Sequence, residues 1–436
     1  MTNQQIIDST FDAQKAWFLK GHTRSISRRS TALEQLKKII LNHKPDIYAA
    51  LESDLGKTPD VVDLAEIGAV IDEIDVTITE LNKWAEDEVF PLTGLFADSE
   101  GRICPEPYGV CYIIGPFNYP FNLTLTPLVG AIAAGNTAIL KPSEATPETS
   151  HVIKKIIELA FPGEYVAVIE GGREENTLLL AKPFDFYFFT GSPAVGKLVM
   201  KAAANNLAPV VLELGGKCPV VVFEDADLDL LVQCLAFTKY LNSGQTCVAP
   251  DYLLVPKSKQ EIIISQLKTL IEANYAGKST GKIVSERQVD KLAGYLQNTQ
   301  GKVVTGGQYD RVTRQFSPTI VADVNWDDAL MQDEIFGPIL PVLTYDNLED
   351  CRQKIIAHHA KPLAIYAFSR DESSALAFIK TVQSGDAQIN DILTHALSPQ
   401  LPFGGIGPSG MGKYHGKSSF DTFSHTRSIR IVSSES

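Results

Sequence analysis

Residues 184–197 read Phe184-Asp185-Phe186-Tyr187-Phe188-Phe189-Thr190-Gly191-Ser192-Pro193-Ala194-Val195-Gly196-Lys197. An apolar strand runs into a glycine turn, and a helix follows. A helix that starts at such a turn offers free backbone N–H groups and a positive dipole end, which suits a pyrophosphate. The bland reading is an ordinary strand-to-helix turn, and the spacing lacks the three glycines of the common dinucleotide fingerprint. Outward from this stretch the texture persists. Val110–Ile114 and residues 137–140, 166–169, 184–189, 210–212 and 220–223 read as strands, with helices such as 151–160 and 194–204 between them. Apolar strands alternating with helices predict an α/β fold whose parallel sheet is covered on both faces.

The flanks differ. The first eighty-odd residues read as helices. Leu33, Leu36, Ile39 and Ile40 share a face behind the capping candidates Ser30 and Thr31, and a second segment ends at Gly56. A third carries Ile67, Val70, Ile71, Ile74, Ile78 and Leu81 up to Trp84. Residues 85–105 are mixed and turn-rich, fitting a crossing or an edge strand. A second α/β rhythm runs over residues 225–395, and a Gly-rich tail follows at 402–416. There is no internal repeat and no low-complexity linker.

The 436 residues suit two or three domains. Hydrophobic residues make up 44% and charged residues 21%, so a large core forms and wholesale disorder is excluded. The net charge of −13 argues against nucleic-acid binding. The short basic runs Arg28-Arg29 and Lys37-Lys38 read as solvated helix faces. No secretory signal opens the chain. The longest apolar stretch, residues 123–140, is broken by Pro127 and by Gly135-Asn136, too interrupted to span a bilayer. Six scattered cysteines fit a reducing cytoplasm better than disulfides or zinc. Two motif matches fail on context. Gly56-Lys57-Thr58 resembles the end of a phosphate loop, but Leu51 stands where that loop needs a glycine. Residues 277–281 match a nucleophile elbow, but a helical pattern precedes them, so Gly277 is expected to end that helix.

Four further segments carry candidate chemistry. Glu213 lies about 20 residues past Gly191, where a dinucleotide reading puts an acid on the ribose. It also precedes Leu214-Gly215-Gly216-Lys217, a sharp turn beside an acid, so both roles stay open. Cys247 follows Asn242-Ser243-Gly244-Gln245-Thr246, small and polar residues that could expose a thiol; the bland reading is a buried structural cysteine. Asn118 follows a strand and could donate into a cleft, or simply turn the chain between Pro116 and Pro120. Lys141 and Glu144 close another strand and could grip ribose hydroxyls, while Ser143 caps the next helix. Glu334-Ile335-Phe336-Gly337-Pro338 places an acid and an aromatic at a rigid turn.

Taken together, these segments resemble the aldehyde dehydrogenase superfamily over nearly the whole chain. The resemblance rests on residues 213–217, 244–247 and 334–338. Residues 118–121, 247–251 and 414–420 are similar to its class 3 branch. It implies a Rossmann-type cofactor domain (1–84 and 106–212), an α/β catalytic domain (213–394) and bridging or oligomerisation segments (85–105 and 395–436). It implies NAD or NADP as cofactor, a hydrophobic aliphatic or aromatic aldehyde as substrate, no metal, and a cytoplasmic homodimer without a membrane anchor. Cys247 is implied as nucleophile, Glu213 as general base, and Asn118 with the Cys247 N–H as the oxyanion hole. Gly191, Ser192 and Gly196 are implied at the pyrophosphate, Lys141 and Glu144 at the adenine-side ribose, and Glu334 and Phe336 at the nicotinamide side. With the ribose so held, Glu213 is free to act as base. There are departures. The segment around 276–282 is shorter than in typical class 3 members, and residues 395–401, expected near the substrate mouth, do not match the usual forms.

The implied chemistry is a thiohemiacetal and then a thioester on Cys247, hydrolysed by water that Glu213 deprotonates. A base that takes a proton from water is expected to have a raised pKa in an apolar cleft. Two rivals remain at this level. One is an acylating aldehyde dehydrogenase, in which a second thiol takes the acyl group. The other is a non-catalytic dinucleotide-binding protein. The acid at Glu213 argues against the first, and the intact Cys247, Glu213 and Asn118 argue against the second.

Overall fold

Side chains alternate along Val110–Ile114 and divide the core around it in two. Val110, Tyr112 and Ile114 pack with Ile7, Phe11, Phe184 and Val199 on one face. Cys111 and Ile113 belong to a second cluster with Leu36, Leu125, Leu128 and Ile153. With both faces covered, the strand reads as an unbroken apolar run and not as an alternation. The computed structural model describes residues 2–275 and 278–432. The strand sits within a six-stranded sheet, in the order Gly410–Met411, Val210–Glu213, Phe186–Thr190, Val110–Ile114, Thr137–Lys141, Val166–Val168. Neighbours run parallel except Gly410–Met411, which is antiparallel to Val210–Glu213. The chain winds outward from Val110–Ile114 through the next two strands, then crosses back to Phe186–Thr190. Between those two central strands the order reverses, and a crevice opens at their carboxyl ends.

The second α/β rhythm forms a seven-stranded sheet. Its order is Lys302–Thr305, Thr319–Ala322, Ile339–Tyr345, Tyr252–Pro256, Pro219–Val222, Ala364–Phe368, Asp386–Ile389. Only Lys302–Thr305 is antiparallel to its neighbour. Residues 85–105 form strands rather than a crossing, with Glu88–Pro91 at an edge and Ser99–Pro107 in the middle of a three-stranded sheet. Glu88–Pro91 and Ser99–Pro107 pair antiparallel, and Ser424–Val432 adds a third strand to the far side of Ser99–Pro107. The tail segment thus contributes to two different sheets.

The predicted strands of the first sheet match within two residues, whereas the first helices need correction. Helix Ile26–Asn42 starts behind Ser25, so Ser30 and Thr31 lie inside it and cap nothing. Arg29 is no solvated face either. It continues the buried stripe of Leu33, Leu36 and Ile40. Its guanidinium donates to the carbonyls of Thr23, Ala133 and Arg24 at 2.8–3.1 Å, which is how a charge is tolerated there. Helix Lys44–Leu55 ends at Gly56 as expected. Helix Gly68–Trp84 follows a π-helical turn, Asp63–Ile67, that no periodicity announced. Residues 123–140 divide into helix Asn122–Ala134 and strand Thr137–Lys141. No described helix is long and apolar enough to cross a membrane. The helix end expected at Gly277 falls outside the described residues.

Candidate active site

The carboxyl ends of the first sheet deliver the candidate residues to one place. Gly115 to Asn118 follow Val110–Ile114; Lys141, Ser143 and Glu144 follow the next strand; Gly191 and Ser192 follow Phe186–Thr190; Glu213 ends Val210–Glu213. All of these line a cavity of about 710 Å³ together with Cys247, Glu334 and Phe336. Gly196 does not. A Cβ there would stand 2.9 Å from Leu214 Cδ2, so this glycine lets helix Pro193–Asn205 pack closely on the sheet. Ser192 is the residue before that helix, and its hydroxyl makes no capping bond. The first-turn N–H groups and this hydroxyl remain for a ligand. Lys141 is buried and its Nζ lies 2.6 Å from Glu144 Oε2. Desolvation raises the Glu144 carboxyl, but the Lys141 hydrogen bond, its own backbone N–H and the Lys141 charge together outweigh it, so the pKa falls below the usual value. An anion held beside a lysine at a strand end fits a ribose diol.

The segment before Cys247 is a strained turn. Asn242, Ser243 and Gly244 take φ values of 51°, 53° and 71° in succession. The strain is held by specific bonds. Asn242 Nδ2 donates to the Asn118 carbonyl at 2.8 Å, and Ser243 Oγ donates to the Gly281 carbonyl at 3.0 Å. Gln245 Nε2 donates to the Lys282 carbonyl at 3.0 Å. Asn118 is buried, and its Nδ2 donates to the Gln245 carbonyl at 3.1 Å, which leaves its second amide hydrogen unassigned. Tyr119 and Thr246 hydroxyls meet at 2.8 Å. The Asn118 loop and the turn before Cys247 therefore grip each other beside the thiol.

Three motifs far apart in sequence are tied by one buried ion pair. Lys217 bonds Asp251, and its Nζ also donates to the carbonyls of Leu330 and Asp333 at 2.8 and 2.9 Å. Asp251 Oδ1 accepts from the Ile335 N–H at 3.1 Å. The turn so anchored presses the Glu334 carboxylate onto Gly215, where any Cβ would collide with it. Phe336 adopts φ 52° and meets Phe117 edge-on at 5.7 Å. Burial pushes Glu334 up to about 8, with Asp251 adding to the shift.

Glu213 is buried, and neither carboxylate oxygen has a hydrogen-bond partner among the described residues. Burial raises its pKa well above the ordinary carboxylate range, Lys413 opposes this, and Asp386 reinforces it. The sequence expectation of a raised acid agrees. A Cβ on Gly404 would stand 2.7 Å from Glu213 Oε1, so the Gly-rich tail forms the wall behind the acid. Cys247 is half-buried, and burial raises its thiol, followed by the charges of Glu334 and Glu213. The other cysteines are free and none lines the cavity.

Several lining residues were not read from the sequence. Arg173, Asn176, Thr177 and Leu180 come from helix Arg173–Leu180. Their signal was available: Val166–Val168, then Gly171-Gly172, then a helix repeats the strand, glycine and helix order of residues 184–197. Phe403 and Tyr414 of the tail add apolar wall. His395 lies elsewhere, in a separate depression with Gln388 and Leu401, its Nδ1 3.0 Å from Gln388 Oε1.

A sheet crevice with a free helix start, opening onto a half-buried thiol and a buried unpartnered acid, defines a dinucleotide-dependent α/β enzyme class with a cysteine at its centre. Comparison with known proteins makes the assignment specific. The chain belongs to the aldehyde dehydrogenase family, whose sequence model matches residues 1–429. It is 44% identical to 4,4'-diaponeurosporen-aldehyde dehydrogenase of Staphylococcus aureus, over 97% of this chain and 93% of the relative. It is 43% identical to the dimeric NADP-preferring aldehyde dehydrogenase of Rattus norvegicus, over 98% of this chain and 95% of that one. The substrate-bound structure of Staphylococcus aureus AldH superposes with a TM-score of 0.94 at 44% identity, covering 98% of this chain and 94% of that chain. The Mycobacterium tuberculosis aldehyde dehydrogenase complexed with NAD+ superposes at 0.90, with 26% identity, over 98% and 90%. The protein is an NAD(P)-dependent aldehyde dehydrogenase of α/β fold.

Proposed function

We propose that the protein oxidises a hydrophobic aldehyde to its acid through an acyl-enzyme on Cys247. The observation that carries this reading is that Cys247, Glu213 and Asn118 line the same cavity as the ribose and pyrophosphate candidates. In this reading Lys141 and Glu144 hold the adenine-side ribose, Gly191 and Ser192 flank the pyrophosphate, and Glu334 and Phe336 hold the nicotinamide side. Gly196 supports that site from beneath. The cofactor domain comprises 1–84 and 106–212, the catalytic domain 213–394, with 85–105 and 395–436 bridging. When bound, the coenzyme supplies the hydride acceptor.

Cys247 attacks the aldehyde carbon after losing its proton, since only the thiolate is a strong nucleophile. Its environment disfavours the thiolate, so the proton needs a nearby acceptor. Glu213 in its deprotonated form, with no competing partner, accepts that proton and must pass it to solvent before it serves again. The free N–H of Asn118 and the Cys247 backbone N–H stabilise the oxyanion of the adduct. Once the adduct is oxidised to a thioester, Glu213 takes a proton from water, which attacks the acyl carbon and releases Cys247. A carboxylate whose proton affinity is raised by burial suits this work better than an ordinary one.

Phe117, Leu123, Phe336, Phe403 and Tyr414 support an apolar substrate, as do the relatives named above. The dimeric rat relative supports a homodimer, and the six free cysteines suit the cytoplasm. Rapid mixing of Glu213→Gln enzyme with NAD and aldehyde tests the mechanism. A burst of reduced coenzyme is expected, slowed because Glu213 no longer takes the Cys247 proton but with an amplitude of up to about one per site, followed by a slow steady rate and an acylated Cys247 by mass spectrometry. A normal steady rate at saturating coenzyme overturns it. Coenzyme A that restores the steady rate would instead identify an acylating enzyme.

A further inference from the structure

Behind the Asn118 loop, on the side away from the cavity, lies a buried ion pair that the mechanism above does not use. Lys57 Nζ stands 2.6 Å from Glu66 Oε1, with both side chains inaccessible to solvent. The same ammonium donates to the Asn118 carbonyl at 2.6 Å and sits 3.9 Å from the centre of the Tyr119 ring. Its donors are thus used on a carboxylate, a carbonyl and an aromatic face. Glu66 Oε2 accepts from the N–H groups of Phe121 and Asn122 at 3.1 and 2.8 Å. These N–H groups belong to the start of helix Asn122–Ala134, where a negative charge is favoured. Neither Lys57 nor Glu66 lines the cavity.

The pair holds the loop at both ends. Lys57 fixes Asn118 and Tyr119, and Glu66 fixes Phe121 and Asn122. The Asn118 carbonyl is shared with Asn242 Nδ2, so the clamp also reaches the strained turn before Cys247. A buried ion pair is poor evidence of stability, because desolving two charges offsets most of their attraction. Its contribution here is positional, since every bond it makes outside itself ends on the backbone or the ring of residues 118–122. The Glu66 side chain is aimed by the π-helical turn Asp63–Ile67, a device often found near functional sites.

We propose that Lys57 and Glu66 are positioning residues that set the place of the Asn118 amide relative to Cys247. This rests on the reading of Asn118 as an oxyanion donor. The test is a double-mutant cycle on the burst rate of reduced coenzyme. Lys57→Met with Glu66→Gln removes both charges without leaving either alone, and Glu66→Gln by itself serves if that variant does not fold. The burst rate is expected to fall roughly 10- to 100-fold, the scale of a small misplacement of a reacting group. The aldehyde KM and the coenzyme dissociation constant should change less than about 3-fold, since neither ligand touches the pair. In an Asn118→Ala background the same change should cost almost nothing further. An equal loss in both backgrounds, a loss expressed mainly as weakened coenzyme binding, or no loss at all overturns the proposal. If Asn118→Ala alone leaves the burst unchanged, the oxyanion reading itself has failed; if it slows the burst but shows no coupling to the pair, only the positioning role has failed.

Discussion

Two buried acids flank the Asn118 loop and have opposite fates. Glu66 uses both oxygens: one on Lys57, the other on two backbone N–H groups. Glu213 uses neither. Both are removed from water, yet only the first is compensated. An acid with both oxygens engaged is part of the frame, because protonating it breaks one or more of its bonds. An acid with none engaged is poised to bind a proton, a water or a substrate atom. Burial alone therefore does not mark a reactive carboxylate; burial without partners does.

The comparison breaks most visibly in stability. Glu66→Ala leaves the Lys57 ammonium buried without its counter-charge, so a loss of about 3–5 kcal/mol is expected in chemical denaturation. A loss below about 1 kcal/mol would mean that water or a rotamer change satisfies Lys57, and that Glu66 is no frame. Asn118→Ala comes next. Turnover should fall roughly 100- to 1000-fold with little change in melting temperature, the range for one oxyanion donor. Unchanged turnover with a collapsed melting temperature would make Asn118 a turn residue only.

Glu213→Gln should behave in the opposite sense to Glu66→Ala. Its folded pKa is raised, so above the unfolded value the native state retains a proton that the unfolded chain releases. That difference destabilises the fold increasingly as pH rises from about 4.5 toward the folded value. A neutral amide has no such dependence. The melting temperature of Glu213→Gln relative to the parent should therefore improve between pH 5 and pH 8. A difference independent of pH would mean that the carboxylate is solvated after all. Glu144 lies between the extremes, half-exposed and paired with Lys141, and gives the smallest effect. Glu144→Gln should shift the NADP-to-NAD ratio of kcat/KM toward NADP by several-fold, by removing the charge that repels a 2′-phosphate. Equal ratios would remove Glu144 from the ribose site.

What the sequence could reveal follows from how local the causes are. The strand at 186–190, its glycine turn and the next helix are decided by consecutive residues, and they were legible. So was the crowding of chemistry at Glu213 and Cys247, because small and polar residues stood beside each. Gly196 was legible as a glycine but not as a packing glycine, since Leu214, which it accommodates, comes from another strand. Lys57 shows no role in the sequence, because its neighbours fail the phosphate-loop pattern. Its partners are Glu66, across a π-helical turn, and Asn118, in another element, and no local pattern joins them. Arg29 misled for a related reason: a charged residue reads as exposed unless the three carbonyls that accept from it are known.

The pairing of Gly410–Met411 with Val210–Glu213 has a consequence for how the enzyme is made. The thiol and its acid leave the ribosome in the middle of synthesis, but the wall against Glu213 comes from Gly404, and Phe403 and Tyr414 enclose the cavity. Contacts this distant in sequence form late, after the local helices and hairpins. A growing chain therefore carries Cys247 for much of its translation without the tail residues that wall the cavity. The cavity is complete only once the tail has folded back, so its enclosure depends on the last residues of the chain to be made.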